Sequence, residues 1–289
     1  MKMCSICKNK SASVYRNKVK SVYSKKAYNV LKCSKCNHFF TDPSFTQKEI
    51  NDIYENNYSY DAHSLIKKEK IMRAKNYAGF IASLPKIKSA LEVGCMHGLL
   101  LAELKKNGLK VAGVELDPEA VKYCKNLGLE VTQSSIENHL KKAGSKHDVI
   151  IMSHVIEHIV DPEKQLSNLN KRMAEDGRLV LITPNSMALT RKIFGRYWGY
   201  WQVPVHINHF NEQSMVELLK RSGFRLEEVR YYGGDSLFFL SSLANLLGAS
   251  NDSKELSGPK RTLVKIATVV LSPWYKIGKE DMLVIACKN

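Results

Sequence analysis

The chain is short of acids: 28 Asp and Glu stand against 44 Lys and Arg in 289 residues, a formal net charge of +16. It also lacks any apolar run approaching the roughly 20 residues that cross a bilayer, so no spanning helix is expected. The opening Met1-Lys2-Met3-Cys4 carries no apolar segment of a secretory signal, and the expected compartment is the cytoplasm. No internal repeat or low-complexity tract is visible.

The scarcities concentrate at one end. Residues 1–42 hold ten Lys or Arg and a single acid, Asp42, so nine of the sixteen excess charges lie there. Such a patch would attract RNA, a phosphorylated glycan or nucleotide-linked substrate, or an anionic membrane surface, unless it is an ordinary solvated lysine face. The same stretch is poor in core residues, with Val14-Tyr15, Val19 and Val22-Tyr23 between its cysteines. What it has instead is Cys4-x-x-Cys7 and Cys33-x-x-Cys36, two knuckles 25 residues apart whose spacing suits a tetrahedral Zn²⁺ held by four thiolates. Four protein thiolates leave no position for a substrate, so this metal is expected to be structural. It supplies what the core lacks, on the order of 10 kcal/mol. Cys95, Cys124 and Cys287 fall outside this scheme and read as core or near-core thiols.

The rest of the chain has the rhythm of an open α/β sheet. Strands are expected near 88–93, 110–115, 129–132, 147–152, 177–183, 225–231 and 281–287, with helices between the first five. Helical spacing also runs through 46–80 (Ile50, Ile53, Tyr54, then Ile66, Ile71, Tyr77, with Tyr58 and Tyr60 between) and through 236–249 and 262–275. The last two would serve as core, lid, dimer contact or lipid-resting surface, and the oligomeric state stays open. In Leu91-Glu92-Val93-Gly94-Cys95-Met96-His97-Gly98 an apolar strand enters a Gly-x-x-x-Gly turn, a helix follows, and the next strand, Val111-Ala112-Gly113-Val114-Glu115, ends in a carboxylate. This is the order of a nucleotide-cofactor cradle: the glycines admit the ligand to the backbone, and the acid bonds ribose hydroxyls. Asp117-Pro118 breaks the chain just after. A dehydrogenase fingerprint would need glycines at 96 and 99, where the chain has Met96 and Leu99.

On these residues the chain resembles the class I S-adenosylmethionine-dependent methyltransferases, specifically those carrying an N-terminal zinc ribbon and associated with polysaccharide or natural-product biosynthesis. The resemblance extends to the Cys36-x-His38-Phe39-Phe40-x-Asp42-Pro43 link, to Glu157-His158-Ile159-Val160-Asp161-Pro162, and to the segment from Arg196-Tyr197-Trp198 to Phe210. It implies a doubly wound, seven-stranded Rossmann-like α/β domain over 43–289, with a helical lead-in at 46–80 and insertions near 186–206 and 236–275, after a ribbon at 1–42. It implies a cofactor site at Glu92, Gly94, Cys95 and Gly98 for the methionine part and Glu115 for the ribose. Ser135 would stand where a carboxylate usually meets the adenine, Ile136 would pack on the ring, and His154 would neighbour the cofactor. Met96 departs from the family, which usually has glycine there.

His154-x-x-Glu157-His158 also matches an inverted zinc-protease signature, but a strand directly precedes it and Asp161-Pro162 follows, so Glu157 and His158 read as caps or packing partners. In Pro204-Val205-His206-Ile207-Asn208-His209-Phe210 a histidine near neutrality suits removal of a hydroxyl proton, with His206 preferred and His209 second. The aromatic stretch 191–201 is expected to face the acceptor, with Trp198 and Trp201 stacking on a saccharide. Three functions follow: methyl transfer to a hydroxyl of a small-molecule or glycan-type acceptor, methylation of RNA held by the basic ribbon, or a catalytically silent binding module.

Overall fold

The computed structural model describes residues 1–21, 23–42, 44–57, 68–141, 146–234, 236–247 and 278–289. The expectations placed on Val22, Pro43, Tyr58, Tyr60, Ile66 and the segment 262–275 lie outside them.

Two sheets organise the chain. The larger follows the order β10-β11-β8-β7-β4-β5-β6. Its strands are β4 (Ser89–Val93), β5 (Lys110–Glu115), β6 (Val131–Gln133), β7 (His147–Ser153), β8 (Met173–Pro184), β10 (Phe224–Tyr232) and β11 (Asp281–Lys288). The five strands β4 to β8 are parallel, and β11 runs antiparallel between β8 and β10. Parallel neighbours need crossovers, and α3 (Leu99–Lys106), α4 (Pro118–Asn126), α5 (Ile136–Lys141) and α6 (Pro162–Asn170) supply them. Covered on both faces, the central strands are continuously apolar: Val149 to Met152 on β7 and Leu179 to Ile182 on β8 are fully buried. Each expected strand is present within a few residues of its expected ends.

The two Asp-Pro pairs are helix starts. Asp117 accepts the Ala120 N–H at 2.8 Å with Pro118 at the first helical position, and Asp161 accepts the Lys164 N–H at 3.2 Å ahead of Pro162. The chain builds outward from β4 through β5 to β6, then returns to lay β7 on the other side of β4. Strand order therefore reverses between β4 and β7, and the crevice beyond their carboxyl ends is where an open α/β sheet binds ligand. The 46–80 lead-in forms α1 (Gln47–Asn57) and α2 (Lys68–Ala82).

The smaller sheet, β1-β2-β3-β9, is antiparallel. Its first three strands, β1 (Ala12–Lys20), β2 (Ala27–Cys33) and β3 (Phe39–Asp42), come from the N-terminus, and β9 (Asn208–His209) comes from the far half of the chain. The pairs Phe39 with His209 and Phe40 with Asn208 tie them.

Beneath this join lies a second core, and it corrects the expected role of the aromatic insertion. Trp198 and Trp201 are buried with Val19, Val30, Phe39, Phe194, Tyr200 and Phe239. The Trp198 indole N–H donates to Thr190 Oγ1 at 2.9 Å, and that of Trp201 donates to the Gly195 carbonyl at 2.8 Å. A small, apolar-poor N-terminal unit cannot enclose its own core, and the insertion fills that deficit, which removes both indoles from any contact with a ligand. Among the described residues no helix is long and apolar enough to cross a membrane.

Candidate functional site

A cleft of about 630 Å³ opens at the carboxyl ends of β4, β5 and β7. Its floor is the turn after β4. Gly94 and Gly98 have φ of +71° and +67°, and a Cβ would come within 2.5 Å of Val155 at the first and 2.6 Å of Leu129 at the second. Backbone must therefore lie bare here, as close approach of a ligand requires. Met96, in the glycine position of the resemblance, takes the same left-handed conformation at φ +48°. Its amide donates to Glu115 Oε2 at 2.8 Å, while Glu115 Oε1 accepts the Leu116 and Asp117 amides at 2.7 and 3.0 Å. The acid at the end of β5 thus fixes the cradle while its edge faces the cleft.

Glu92 lies beneath, almost fully buried. Burial, with Cys124 and Glu115 nearby, pushes its carboxyl well above the usual range, and its Oε2 has no hydrogen-bond partner among the described residues. An orphaned polar atom under a bare glycine turn fits a polar ligand group above it. Cys95 lines the same floor, its thiol pushed up by the Cys124 sulfur and by burial. Ser135 and Ile136 border the mouth. The Ser135 hydroxyl already accepts the Asn138 N–H at 3.2 Å, starting α5, and Glu137 beside it brings to the same wall a carboxylate that the sequence reading passed over.

The other end of the cleft is rich in imidazoles. His154, just past β7 with φ +54°, has Nδ1 3.5 Å from Glu157 Oε1 and Nε2 4.0 Å from Asp281 Oδ2. Burial lowers its affinity for a proton, but the two carboxylates reverse that and the net shift is upward. Glu157, buried and pushed up by burial, is brought down to about 2 by His154 and its other imidazole neighbours. Asp281 pairs with Arg73 at 3.2 Å. His206 lines the cleft and gives Nδ1 to the Tyr200 carbonyl at 2.8 Å. Burial, then His158, lowers it to about 3, so it stays neutral. His158, expected as a cap or packing partner, also lines the cleft, its ring 4.7 Å from that of His206.

His209 sits elsewhere. It is absent from the cleft wall, its ring stands edge-on to Trp201 at 4.7 Å, and its Nε2 is 3.4 Å from Thr41 Oγ1. Lys70, Arg73 and Tyr77 of α2 enter the wall as well. A local motif cannot reveal them. Asp281 had a signal: a charged residue opening the apolar strand Met282 to Ala286.

The four N-terminal thiols converge. Cys4 and Cys36 sulfurs are 3.6 Å apart, Cys7 and Cys33 3.5 Å, and all four lie within 4.8 Å of one another, buried. Sulfurs around a tetrahedral cation at about 2.3 Å stand roughly 3.8 Å apart, so the arrangement fits a closed four-thiolate site.

A switch-point crevice with a glycine cradle and a carboxylate after the second strand defines a class I S-adenosylmethionine-dependent methyltransferase. The methyltransferase-domain family matches residues 62–229, more than half of the chain, and the protein belongs to that family. The ubiquinone biosynthesis O-methyltransferase of Salmonella paratyphi A is 26% identical over 104 residues, 34% of this chain and 43% of that protein. The chain spans under half the length of such curated relatives. Among solved structures, a SAM-dependent methyltransferase from Archaeoglobus fulgidus aligns with a TM-score of 0.53 at 18% identity, over 75% of this chain and 93% of that one. Coclaurine N-methyltransferase bound to N-methylheliamine and SAH aligns at 0.51 and 16%, over 80% and 74%. These likenesses establish the fold. When bound, the cofactor supplies an electrophilic methyl on a sulfonium, and the chain's task is to hold it and align an acceptor.

Proposed function

We propose that this methyltransferase acts on a hydroxyl of a small-molecule or glycan-type acceptor of biosynthetic metabolism. In this reading Glu92, Gly94, Cys95, Gly98, Glu115, Ser135 and Ile136 hold the cofactor. The acceptor lies against His154 and His206, and residues 1–42 form a module around a structural Zn²⁺ bound by Cys4, Cys7, Cys33 and Cys36. The observation that carries it is His154: a partly exposed imidazole between two carboxylates, its proton affinity raised, at the end of β7 where the cleft leaves the cradle. A hydroxyl must lose its proton to accept a methyl group, whereas transfer to many other acceptors needs only alignment. His206, neutral and carbonyl-anchored, positions the acceptor, and His209 supports the segment from behind. The O-methyltransferase names of the relatives point the same way.

The test is transfer from labelled cofactor to a small-molecule and glycan-precursor extract and, in parallel, to total RNA. Label is expected in the extract, to fall about 100-fold or more with His154→Gln, and to persist when Lys18, Lys20, Lys25 and Lys26 are reversed to Glu. Label in RNA that those reversals abolish would overturn the proposal in favour of an RNA acceptor. No label in either, with no cofactor bound, would leave a silent binding module.

A further inference from the structure

We propose that Glu157, His158 and His206 form a second metal site, separate from the four thiols, that takes a divalent first-row transition cation at the acceptor end of the cleft. One ligating atom from each lies within 4.8 Å of the other two. Donors sharing an ion at about 2.1 Å stand some 3 to 4 Å apart, so side-chain shifts on the order of 1 Å close the set.

The backbone has prepared both imidazoles. His158 Nδ1 is 3.0 Å from the Val205 carbonyl and His206 Nδ1 is 2.8 Å from that of Tyr200. A carbonyl only accepts, so each Nδ1 carries the proton and each Nε2 carries the lone pair. That pairing, an imidazole oriented by giving its other N–H to a carbonyl, is how ligating histidines are held. It sets the same tautomer on two rings 4.7 Å apart.

The carboxylate adds an independent observation. Glu157 is 1% exposed, its Oε2 accepts the Thr183 hydroxyl at 3.1 Å, and among the described residues its Oε1 has no hydrogen bond, with the His154 Nδ1 at 3.5 Å as its ionic neighbour. Its one neighbour at Oε1 is thus a loose contact of 3.5 Å, which leaves that oxygen able to accept a cation. The 3₁₀ turn Ile156–His158 delivers Glu157 and His158 side by side, and the loop before β9 brings His206 onto them.

Chemistry separates this site from the ribbon. Four thiolates close a site; two imidazoles and one carboxylate leave positions open, and here the imidazoles face the cleft. Imidazole with carboxylate suits Zn²⁺, Fe²⁺, Co²⁺ or Mn²⁺. The role of the cation rests on the acceptor reading above: an open position would hold an acceptor oxygen at the end of the cleft beyond the cradle. Binding of the cation does not rest on that reading.

The test is Co²⁺ titration of full-length protein whose ribbon is already filled with one equivalent of zinc. A further equivalent of cobalt is expected, with visible d–d absorption but without the intense sulfur-to-cobalt charge transfer of thiolate ligands. Glu157→Gln and His206→Asn should each weaken it about 100-fold, with zinc content and SAH binding retained as a check on folding. Zinc-filled wild type that takes up no cobalt would overturn the proposal, a result independent of how any variant folds. So would a second equivalent indifferent to both substitutions. Cobalt binding without methylation of any hydroxyl would keep this site and remove the acceptor reading; hydroxyl methylation without cobalt binding would do the reverse.

Discussion

The cofactor end of the cleft and the end proposed to take the acceptor are built in opposite ways. The cofactor end comes mainly from contiguous chain: β4, its turn, α3 and β5 lie within 89–115, with Ser135 and Ile136 added after β6, and the Met96 amide in the turn donates to the carboxylate at that segment's own end. The acceptor end is assembled from distant pieces. His154 and His158 come from β7 and the turn after it, His206 from the loop before β9, Asp281 from the last strand and Arg73 from α2. Holding the His206 loop falls to β3, β9 and the buried tryptophans, so the N-terminal unit is part of the acceptor site's scaffold although no cysteine lines the cleft except Cys95. One enzyme thus joins a local, self-supporting cofactor cradle to an acceptor wall that exists only when remote segments are docked.

The sharpest way to break that comparison is to remove the metal expected in the ribbon. Cys36→Ser, or exhaustive chelation, should abolish zinc content at a cost on the order of 10 kcal/mol, loosen residues 1–42 to protease, and stop turnover. SAH affinity should change by less than about 0.5 kcal/mol, as distant sites allow. Equal loss of cofactor binding in calorimetry would show the two ends to be one cooperative unit.

The next largest effect addresses the seam. Trp201→Ala should destabilise the fold by about 3–5 kcal/mol, the cost of emptying a buried indole site, with KM for the cofactor unmoved. Denaturant melting reads it. Intact stability with lost acceptor binding would restore the ligand-facing role that the sequence suggested.

Glu280 tests the same seam by pH. Buried, and accepting from the Thr190 amide and hydroxyl, its carboxyl is pushed up by burial to about 7. The native state therefore holds the proton more tightly than the unfolded chain. Its contribution is complete below about pH 4.5 and is lost as pH rises through 7, in all about 3 kcal/mol. Urea melts between pH 4.5 and 8 should show that slope in wild type, and Glu280→Gln should flatten it. An unchanged slope in the variant assigns the dependence to another group.

How much of each end was legible in the sequence follows the same division. Strand positions, the glycine turn and Glu115 could be read because their determinants are local: apolar runs, φ-positive glycines, an acid ending a strand, Asp-Pro caps. His158 reads from sequence as a cap or packing partner, and its place on the cleft wall is hidden because it depends on a loop nearly fifty residues on, which gives its ring a carbonyl to hold. The tryptophans read as ligand-facing because aromatic, basic composition is shared by binding surfaces and by cores that a small neighbour completes. A two-residue strand such as β9 leaves no pattern to detect; its partners, Phe39 for His209 and Phe40 for Asn208, lie far earlier in the chain.

The smallest effect sharpens the cofactor end. In the proposed reading Glu115 does two jobs: it anchors three backbone amides, one belonging to Met96 in a conformation that side chains rarely adopt, and it would offer its edge to the ribose. Glu115→Ala removes both and should weaken SAH binding by about 1.5–3 kcal/mol, the worth of charge-assisted bonds. Met96→Gly separates the jobs, because glycine takes φ +48° without strain. If the carboxylate acts chiefly by holding the turn, adding Met96→Gly to Glu115→Ala should recover much of the affinity in calorimetry. If it acts chiefly on the ligand, the double variant should bind no better than Glu115→Ala alone, and the contact to the ribose carries the effect.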